Sequence, residues 1–201
     1  MHWKDITTDR ETTYTLTENE QCVFFLFNRS GNLTFELTGR NAEAHIFAFF
    51  VGKKECKHTL TIIQNHRAPK TISHTLIKSV VSDASVCMYD GTLFIDTNAL
   101  GSDASQESRA LLLSSDATVS MKPTLEILAD DVQCSHKATA SPLDREALFF
   151  AESRGISPKK AEKLLISGFW NDAFEKIALL LPKEEKIKER LLSLLSHKTI
   201  S

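Results

Sequence analysis

The chain has 201 residues, of which 42% are hydrophobic and 25% are charged, and its formal net charge is -2. This composition argues against disorder and predicts one substantial core, or a core with an appended helical segment. A charge so close to zero offers no basic footprint for nucleic acid.

Apolar runs in the sequence are too short to cross a membrane. The longest, residues 22–27 and 46–51, fall far below the roughly 20 residues that a spanning helix needs. No apolar signal core follows Met1, so we expect a cytoplasmic protein without membrane contact. The cysteines include no CxxC pair, which predicts reduced thiols rather than a disulfide framework: Cys22, Cys56, Cys87 and Cys134.

Residues 1–20 are polar and threonine-rich, and they predict an irregular arm or a weak edge strand. Short segments rich in aromatic and β-branched residues then fill residues 21–128 and predict β-strands. Polar corners separate them at intervals of roughly 10 to 13 residues, which is compatible with a sandwich, a cupin-like jelly roll or a solenoid. The predicted strands are 22–27, 33–37, 44–51, 58–63, 72–80, 85–89, 93–95, 110–113 and 125–128.

Two details of these strands bear on the architecture. Ser30-Gly31-Asn32 and Asp90-Gly91 fit hairpin turns, whereas most other corners are looser, which favours a solenoid. In the segment around residue 75, apolar side chains share a face that Lys78 interrupts. A row of hydroxyl side chains is predicted to face solvent on the other side: Thr71, Ser73, Thr75 and Ser79.

The pattern becomes helical after Thr139. Ser141-Pro142 has the features of a helix start, and Gly155 those of a helix end. Further proline and glycine signals predict four short helices in all, at about residues 142–154, 158–167, 170–181 and 183–197. The predicted organisation is therefore an N-terminal arm (1–20), a β-core (21–140) and a C-terminal helical domain (141–201).

Cys134 and His136 are the most distinctive candidate ligands. If their segment is extended, both side chains lie on one face with Cα atoms about 6.5 to 7 Å apart. A thiolate beside an imidazole suits zinc, copper or iron–sulfur iron, although two ligands alone do not make a site. The structural alternative is a buried cysteine and a hydrogen-bonded histidine. The preceding Asp130 and Asp131 predict a turn rather than an acid–base pair.

Other candidate sites have weaker support. Cys56-Lys57-His58 repeats the Cys-x-His spacing. Together with the nearby His45, His66 and His74 it outlines a cupin-like metal site, but no carboxylate stands at ligand spacing. A structural role is therefore favoured. A nucleophilic Cys–His pair needs an orienting third group and an oxyanion hole, and the sequence identifies neither. No phosphate-binding loop or GxGxxG motif occurs.

The stretch KPTLEILADDVQCSH, which ends at His136, resembles the C-terminal core signature of the SufB/SufD family of iron–sulfur cluster assembly proteins, on its SufD side. The similarity extends upstream through GTLFIDTNALGSDASQESRALLLS and covers about residues 85–180. The chain is shorter than is usual in the family, at its N-terminus. Lys137 and Ser141 stand where the family usually has glycine.

This resemblance implies a right-handed parallel β-helix followed by a small helical segment. It also implies a non-enzymatic scaffold subunit of a SUF complex, paired through the β-helix with a SufB-like subunit or a second copy of itself. A SufC-like ABC-type ATPase would dock on the C-terminal helices. His136, with Cys134 beside it, would contribute ligands to a transient iron–sulfur cluster at the partner interface. The alternative within the family is a purely structural partner without ligands.

Overall fold

The computed structural model describes residues 1–182, which form eleven β-strands and two α-helices. The helix predicted at 183–197 lies outside the described residues. The strands are β1 (His2–Asp5), β2 (Thr13–Leu16), β3 (Gln21–Phe27), β4 (Gly31–Leu37), β5 (Glu43–Gly52), β6 (Lys57–His66), β7 (Ile72–Val81), β8 (Val86–Ile95), β9 (Asp103–Leu112), β10 (Thr118–Ile127) and β11 (Gln133–Pro142).

The strands build a parallel β-solenoid with two strands in each coil. Odd-numbered strands form one sheet in the order β1-β3-β5-β7-β9-β11, and even-numbered strands form the other in the order β10-β8-β6-β4-β2. The predicted solenoid is thereby confirmed. Both predicted hairpins are wrong: Gly31 begins β4, which belongs to the opposite sheet from β3, and Asp90-Gly91 lies inside the continuous strand β8.

Stacked corners set the repeat of the solenoid. One column of left-handed residues consists of Asn19, Asn41 and Lys70, with φ values of 60°, 60° and 59°. The side chains of the two asparagines also stack, because Asn41 Nδ2 donates to Asn19 Oδ1 at 3.0 Å. A second column turns the chain at the opposite corner, with φ values of 48°, 57° and 54° at Asn28, Lys54 and Asp83.

Strand β5 is apolar on both faces because each face is covered. Ile46, Ala48 and Phe50 point into the solenoid and belong to its aromatic-rich interior core. Phe47 and Phe49 point outward and pack beneath the second helix.

The hydroxyl row of β7 faces inward, which corrects the sequence prediction. Ser73, Thr75 and Ser79 are at most 3% exposed. Ser73 receives a hydrogen bond from Gln64 Nε2 at 2.6 Å and lies 2.6 Å from His66 Nε2. Polar partners on β6 therefore allow the Ser73 hydroxyl to lie in the solenoid interior.

The helices are α1 (Arg145–Ser153) and α2 (Pro158–Leu180). The predicted cap at Ser141 is wrong because β11 continues to Pro142. The cap is Asp144 instead, whose carboxylate accepts from the backbone N–H groups of Glu146 and Ala147 at 2.8 and 3.2 Å. The predicted second start at Ser157-Pro158 is confirmed. The break predicted near Gly168 is wrong, because α2 continues through it.

Helix α2 covers the outer face of the odd-numbered sheet. Its Trp170 and Phe174 are at most 3% exposed and contact the ring of Phe49. Lys78, only 1% exposed, donates to the Asp172 carboxylate and to the Phe169 carbonyl of α2. A buried ammonium group is tolerated here because it is paired and hydrogen-bonded. Neither α1 nor α2 is long and apolar enough to cross a membrane.

Residues 1–20 contribute one strand to each sheet. β1 pairs with β3 and β2 pairs with β4, so both lie at sheet edges, which corresponds to the weak edge strand considered for this segment. The division of the chain into domains at residues 20 and 140 stays a prediction.

Candidate functional site

Within the part of the chain that the structure describes, the last coil leaves one end of the solenoid unpaired. β10 and β11 are the terminal strands of their sheets, and both are ten residues long. Almost every residue of β11 is exposed. An edge of this length presents a row of free backbone donors and acceptors to another chain.

Cys134 and His136 lie on this last strand, as the sequence analysis expected, and share one face. Cys134 pairs with Ala104 and His136 with Gln106, and both partners are buried in the solenoid interior. The two side chains are therefore on the interior-facing side of β11, where no further coil follows in the described part of the chain. Cys134 is half-buried against a small apolar cluster that includes Leu93, whereas His136 is exposed.

The thiol of Cys134 is not activated by its surroundings. Burial and, secondarily, the negative charge of Asp103 raise its pKa. Lys137 stands opposite Glu107 in the strand register, on the other face of β11, and does not contribute to the shift. Metal coordination would have to displace the thiol proton.

Asp130 and Asp131 lie in the bend between β10 and β11, as predicted, and both are exposed. The Asp131 carbonyl accepts the backbone N–H of Gly101 at 2.6 Å, which joins this bend to the preceding coil. The pair is therefore a connection that fixes the start of β11.

Each strand of the open edge contains one proline, and both prolines stand where a backbone N–H would point away from the solenoid. Gln133 donates its backbone N–H to Ser102 of the inner coil, and Thr118 donates to Ser85. Because successive N–H groups of a strand point in opposite directions, the even positions of β11 and the odd positions of β10 point away from the solenoid. Pro142 and Pro123 occupy such positions, so their missing N–H groups cost the internal ladder nothing.

Exposed apolar side chains occur at two places. Leu100, Ile127 and Leu128 are 50%, 41% and 57% exposed at the corner next to the open edge. On the helices, Phe149 of α1 and Leu164 of α2 are 73% and 56% exposed. Exposed apolar side chains grouped in this way are candidates for contact with another protein.

The cupin-like histidine cluster is not assembled. His45 and His74 stack on the outer face of the odd-numbered sheet, with ring centroids 5.3 Å apart, whereas His58 belongs to β6 of the other sheet. Within residues 1–182, no group of three or more His, Cys, Asp or Glu side chains is arranged to hold a metal ion. Any site at Cys134 and His136 therefore needs ligands from elsewhere.

Sequence reasoning missed the open edge itself. The exposed N–H groups of β11 belong to the backbone, and the alternation of Ala and polar residues after His136 is too weakly apolar to predict a strand. Pro123 and Pro142 were the available signals, because proline within a run of strand residues indicates an edge position.

The chain is similar to known proteins over most of its length. Residues 26–169 match the family model described as SUF system FeS cluster assembly, SufBD core domain. The chain is 31% identical over 163 residues to the iron–sulfur cluster assembly protein SufD of Escherichia coli, which covers 81% of the chain and 37% of that protein. It is 30% identical to SufD of Bacillus subtilis, covering 74% of the chain and 33% of that protein.

A plant protein is similar over a shorter region. The chain is 40% identical over 116 residues to protein ABCI7, chloroplastic, of Arabidopsis thaliana, which covers 57% of the chain and 24% of that protein. The chain thus spans well under half the length of these curated relatives.

Proposed function

Because the chain belongs to the SufB/SufD family of iron–sulfur cluster assembly proteins and resembles its SufD members, we propose that it is a non-enzymatic, cytoplasmic scaffold subunit. In this role it pairs with a SufB-like subunit and contributes to a nascent cluster at the interface. The observation that carries the proposal is the position of Cys134 and His136, together on one face of the unpaired last strand.

Ligand number supports an interface site. An iron–sulfur cluster usually takes four protein ligands, and this face supplies at most two. The remaining ligands would come from a partner that docks at the open edge. The cluster is then a cargo assembled between two chains, and tight metal binding by the isolated chain is not expected.

The open edge suits a partner with its own parallel strands. The outward backbone groups of β11 can pair with a strand of the partner, and Ile127 and Leu128 add apolar contact area beside them. A SufB-like subunit is the partner that family membership favours, and a second copy of this chain is the alternative.

The helices provide a separate docking surface for a SufC-like ABC-type ATPase. Phe149 and Phe150 of α1 are 73% and 56% exposed. The helix itself is capped by the Asp144 carboxylate. A stable helix that leaves two phenylalanines exposed favours a protein partner. The ATPase would supply the nucleotide chemistry for which this sequence has no motif.

The test is reconstitution of the complex under anaerobic conditions with His136→Ala. The chain is co-expressed with a SufB-like and a SufC-like protein. The subunit ratio and the iron and sulfide contents of the purified complex are then measured. We expect the variant complex to assemble with normal subunit ratio and to lose its cluster, because His136 is exposed and contributes little to packing. Lys137→Ala, on the opposite face, is the matched control and should retain the cluster.

Normal cluster yield in the His136→Ala complex would show that the ligand role is wrong. Burial raises the pKa of the half-buried Cys134 thiol, so this residue would not be expected to hold a cluster without His136. The chain would then be a structural partner that supports the SufB-like subunit without holding iron.

A further inference from the structure

Cys56 lies in a tight turn at a corner of the solenoid, far from β11 in sequence. The turn joins β5 to β6 and is closed by the backbone N–H of Cys56, which donates to the Lys53 carbonyl at 3.2 Å. Lys54 adopts a left-handed conformation with φ of 57°, and its N–H donates to the Asp83 carboxylate at 2.7 Å. The neighbouring coil therefore fixes the position of the thiol.

The sulfur of Cys56 has two polar contacts. It accepts the backbone N–H of Lys53 at 3.2 Å, and it lies 3.7 Å from Nε2 of His58. An N–H donor stabilises negative charge on sulfur, and an imidazole within hydrogen-bond distance can take the thiol proton. The sulfur of Cys56 therefore has one N–H group that can donate to it and one ring nitrogen near enough to exchange a proton with it.

His58 is the base in this pair. Its Nε2 is the ring nitrogen that lies 3.7 Å from the sulfur of Cys56, and its ring packs against Phe50 with centroids 5.4 Å apart. Burial lowers the pKa of His58 below its usual value, so the ring is neutral and can accept a proton at pH 7.

The other three thiols are in unreactive surroundings. Burial raises the pKa of Cys22 and of Cys87 to about 11. Burial also raises the pKa of Cys134. Since the thiolate is the reactive species, these three cysteines should react slowly even where reagents reach them.

We propose that Cys56 is a nucleophilic thiol with His58 as its base, and that it takes low-molecular-weight disulfides by thiol–disulfide exchange. Nε2 of His58 removes the proton from Sγ of Cys56, and the thiolate attacks one sulfur of the disulfide. A new sulfur–sulfur bond to Cys56 forms as the original one breaks. The leaving thiolate takes the proton from His58, so the exchange needs no oxidant besides the disulfide.

The experiment is a timed reaction of the reduced, full-length chain with oxidised glutathione at pH 7. Peptide mass mapping follows the mixed disulfide at each cysteine, and rates are divided by those of the chain unfolded in guanidinium, where local structure is lost. We expect Cys56 to react first, and its rate to fall by about tenfold or more in His58→Gln. His74→Gln changes another partly buried histidine and should leave the rate at Cys56 unchanged.

Two outcomes would overturn the proposal. One is a normalised rate at Cys56 no higher than that at Cys134 in the unmodified chain, which requires no variant. The other is an unchanged rate in a His58→Gln protein whose circular dichroism and unfolding midpoint match those of the parent. Either result would make the Cys56–His58 contact a structural hydrogen bond. Neither depends on cluster assembly, so the proposed scaffold role is tested separately.

Discussion

His66 illustrates how a polar residue can be built into the interior of the solenoid. It is fully buried, and its two ring nitrogens lie 2.7 Å from Thr71 Oγ1 and 2.6 Å from Ser73 Oγ. Hydroxyl groups can donate or accept, so they satisfy the neutral ring in either tautomer. A protonated ring would place an unpaired charge in the core, and burial accordingly lowers the pKa of His66 to about 4.

This shift predicts a specific loss of stability in mild acid. Above pH 6.5, His66 is neutral in both states; as the pH falls towards 4, only the unfolded chain takes up the proton. The free energy of unfolding should therefore fall by up to about 3 kcal/mol over this range from His66 alone. We expect His66→Gln, which cannot titrate, to show a shallower pH dependence in urea titrations. Parallel curves for the two proteins would contradict this assignment.

At the scale of single elements, the sequence predicted most strands and misjudged which way some of them face. β7 was given a solvent-facing hydroxyl row because Ser and Thr are common on exposed strand faces. The prediction failed because the side-chain partners of Ser73, which are Gln64 and His66, lie on β6 of the other sheet. Gln64 in turn accepts from Gln106 of β9. Lys78 interrupted the apolar face of the same strand in the sequence, yet its side chain is buried. Its partner Asp172 lies far along the chain, so the sequence pattern could not indicate this pairing.

The same limitation applies to the helices. Glycine at position 168 predicted a helix end, yet α2 continues because its buried face, which includes Trp170 and Phe174, packs on the sheet. Tertiary packing overrides the weak local preference of one glycine. Gly155, by contrast, has φ of 84° and does end α1 as predicted.

These two glycines predict opposite responses to the same substitution. Gly168 is helical and exposed, with nothing within 4 Å of an added Cβ, so Gly168→Ala should raise the free energy of unfolding by about 1 kcal/mol. Gly155→Ala places a side chain in a left-handed conformation and should lower it by about 1 kcal/mol. Chemical denaturation of both variants checks the pair. Destabilisation by Gly168→Ala would indicate a break in α2.

At the scale of the whole molecule, the fold was predictable because its signals are repeated. Polar corners at regular intervals were compatible with a solenoid among other β-folds, the looseness of most corners favoured it, and the resemblance to a known family agreed. The candidate ligands were also predictable as a pair on one face. The open edge was not predictable, since it depends on which strand is left without a neighbour, and that is a property of the assembled sheets.

The open edge leads to a prediction about partner binding. Ala138 of β11 directs its N–H outward by the alternation that begins at Gln133, so Ala138→Pro should leave the internal ladder intact. We expect its affinity for the SufB-like subunit to fall about tenfold, or ~1.4 kcal/mol, with little change in the unfolding midpoint. Calorimetric titration with that subunit measures the effect.

Thr139→Pro is the matched comparison, because the N–H of Thr139 points to β9. It should destabilise the isolated chain itself, by loss of a ladder hydrogen bond. Equal partner affinity for Ala138→Pro and the parent would show that the partner does not pair with β11.

The two prolines of the last coil also bear on self-association. The two ends of the solenoid differ, with four-residue edges at β1 and β2 and ten-residue edges at β10 and β11. Head-to-tail stacking of identical solenoids would be a heterologous contact that can repeat without limit and grow into a filament. Pro123 and Pro142 remove two outward donors from the longer edge, and the shorter edge can match less than half of it. Within the described residues, the two missing donors and the shorter opposing edge therefore disfavour fibre growth at the edge formed by β10 and β11.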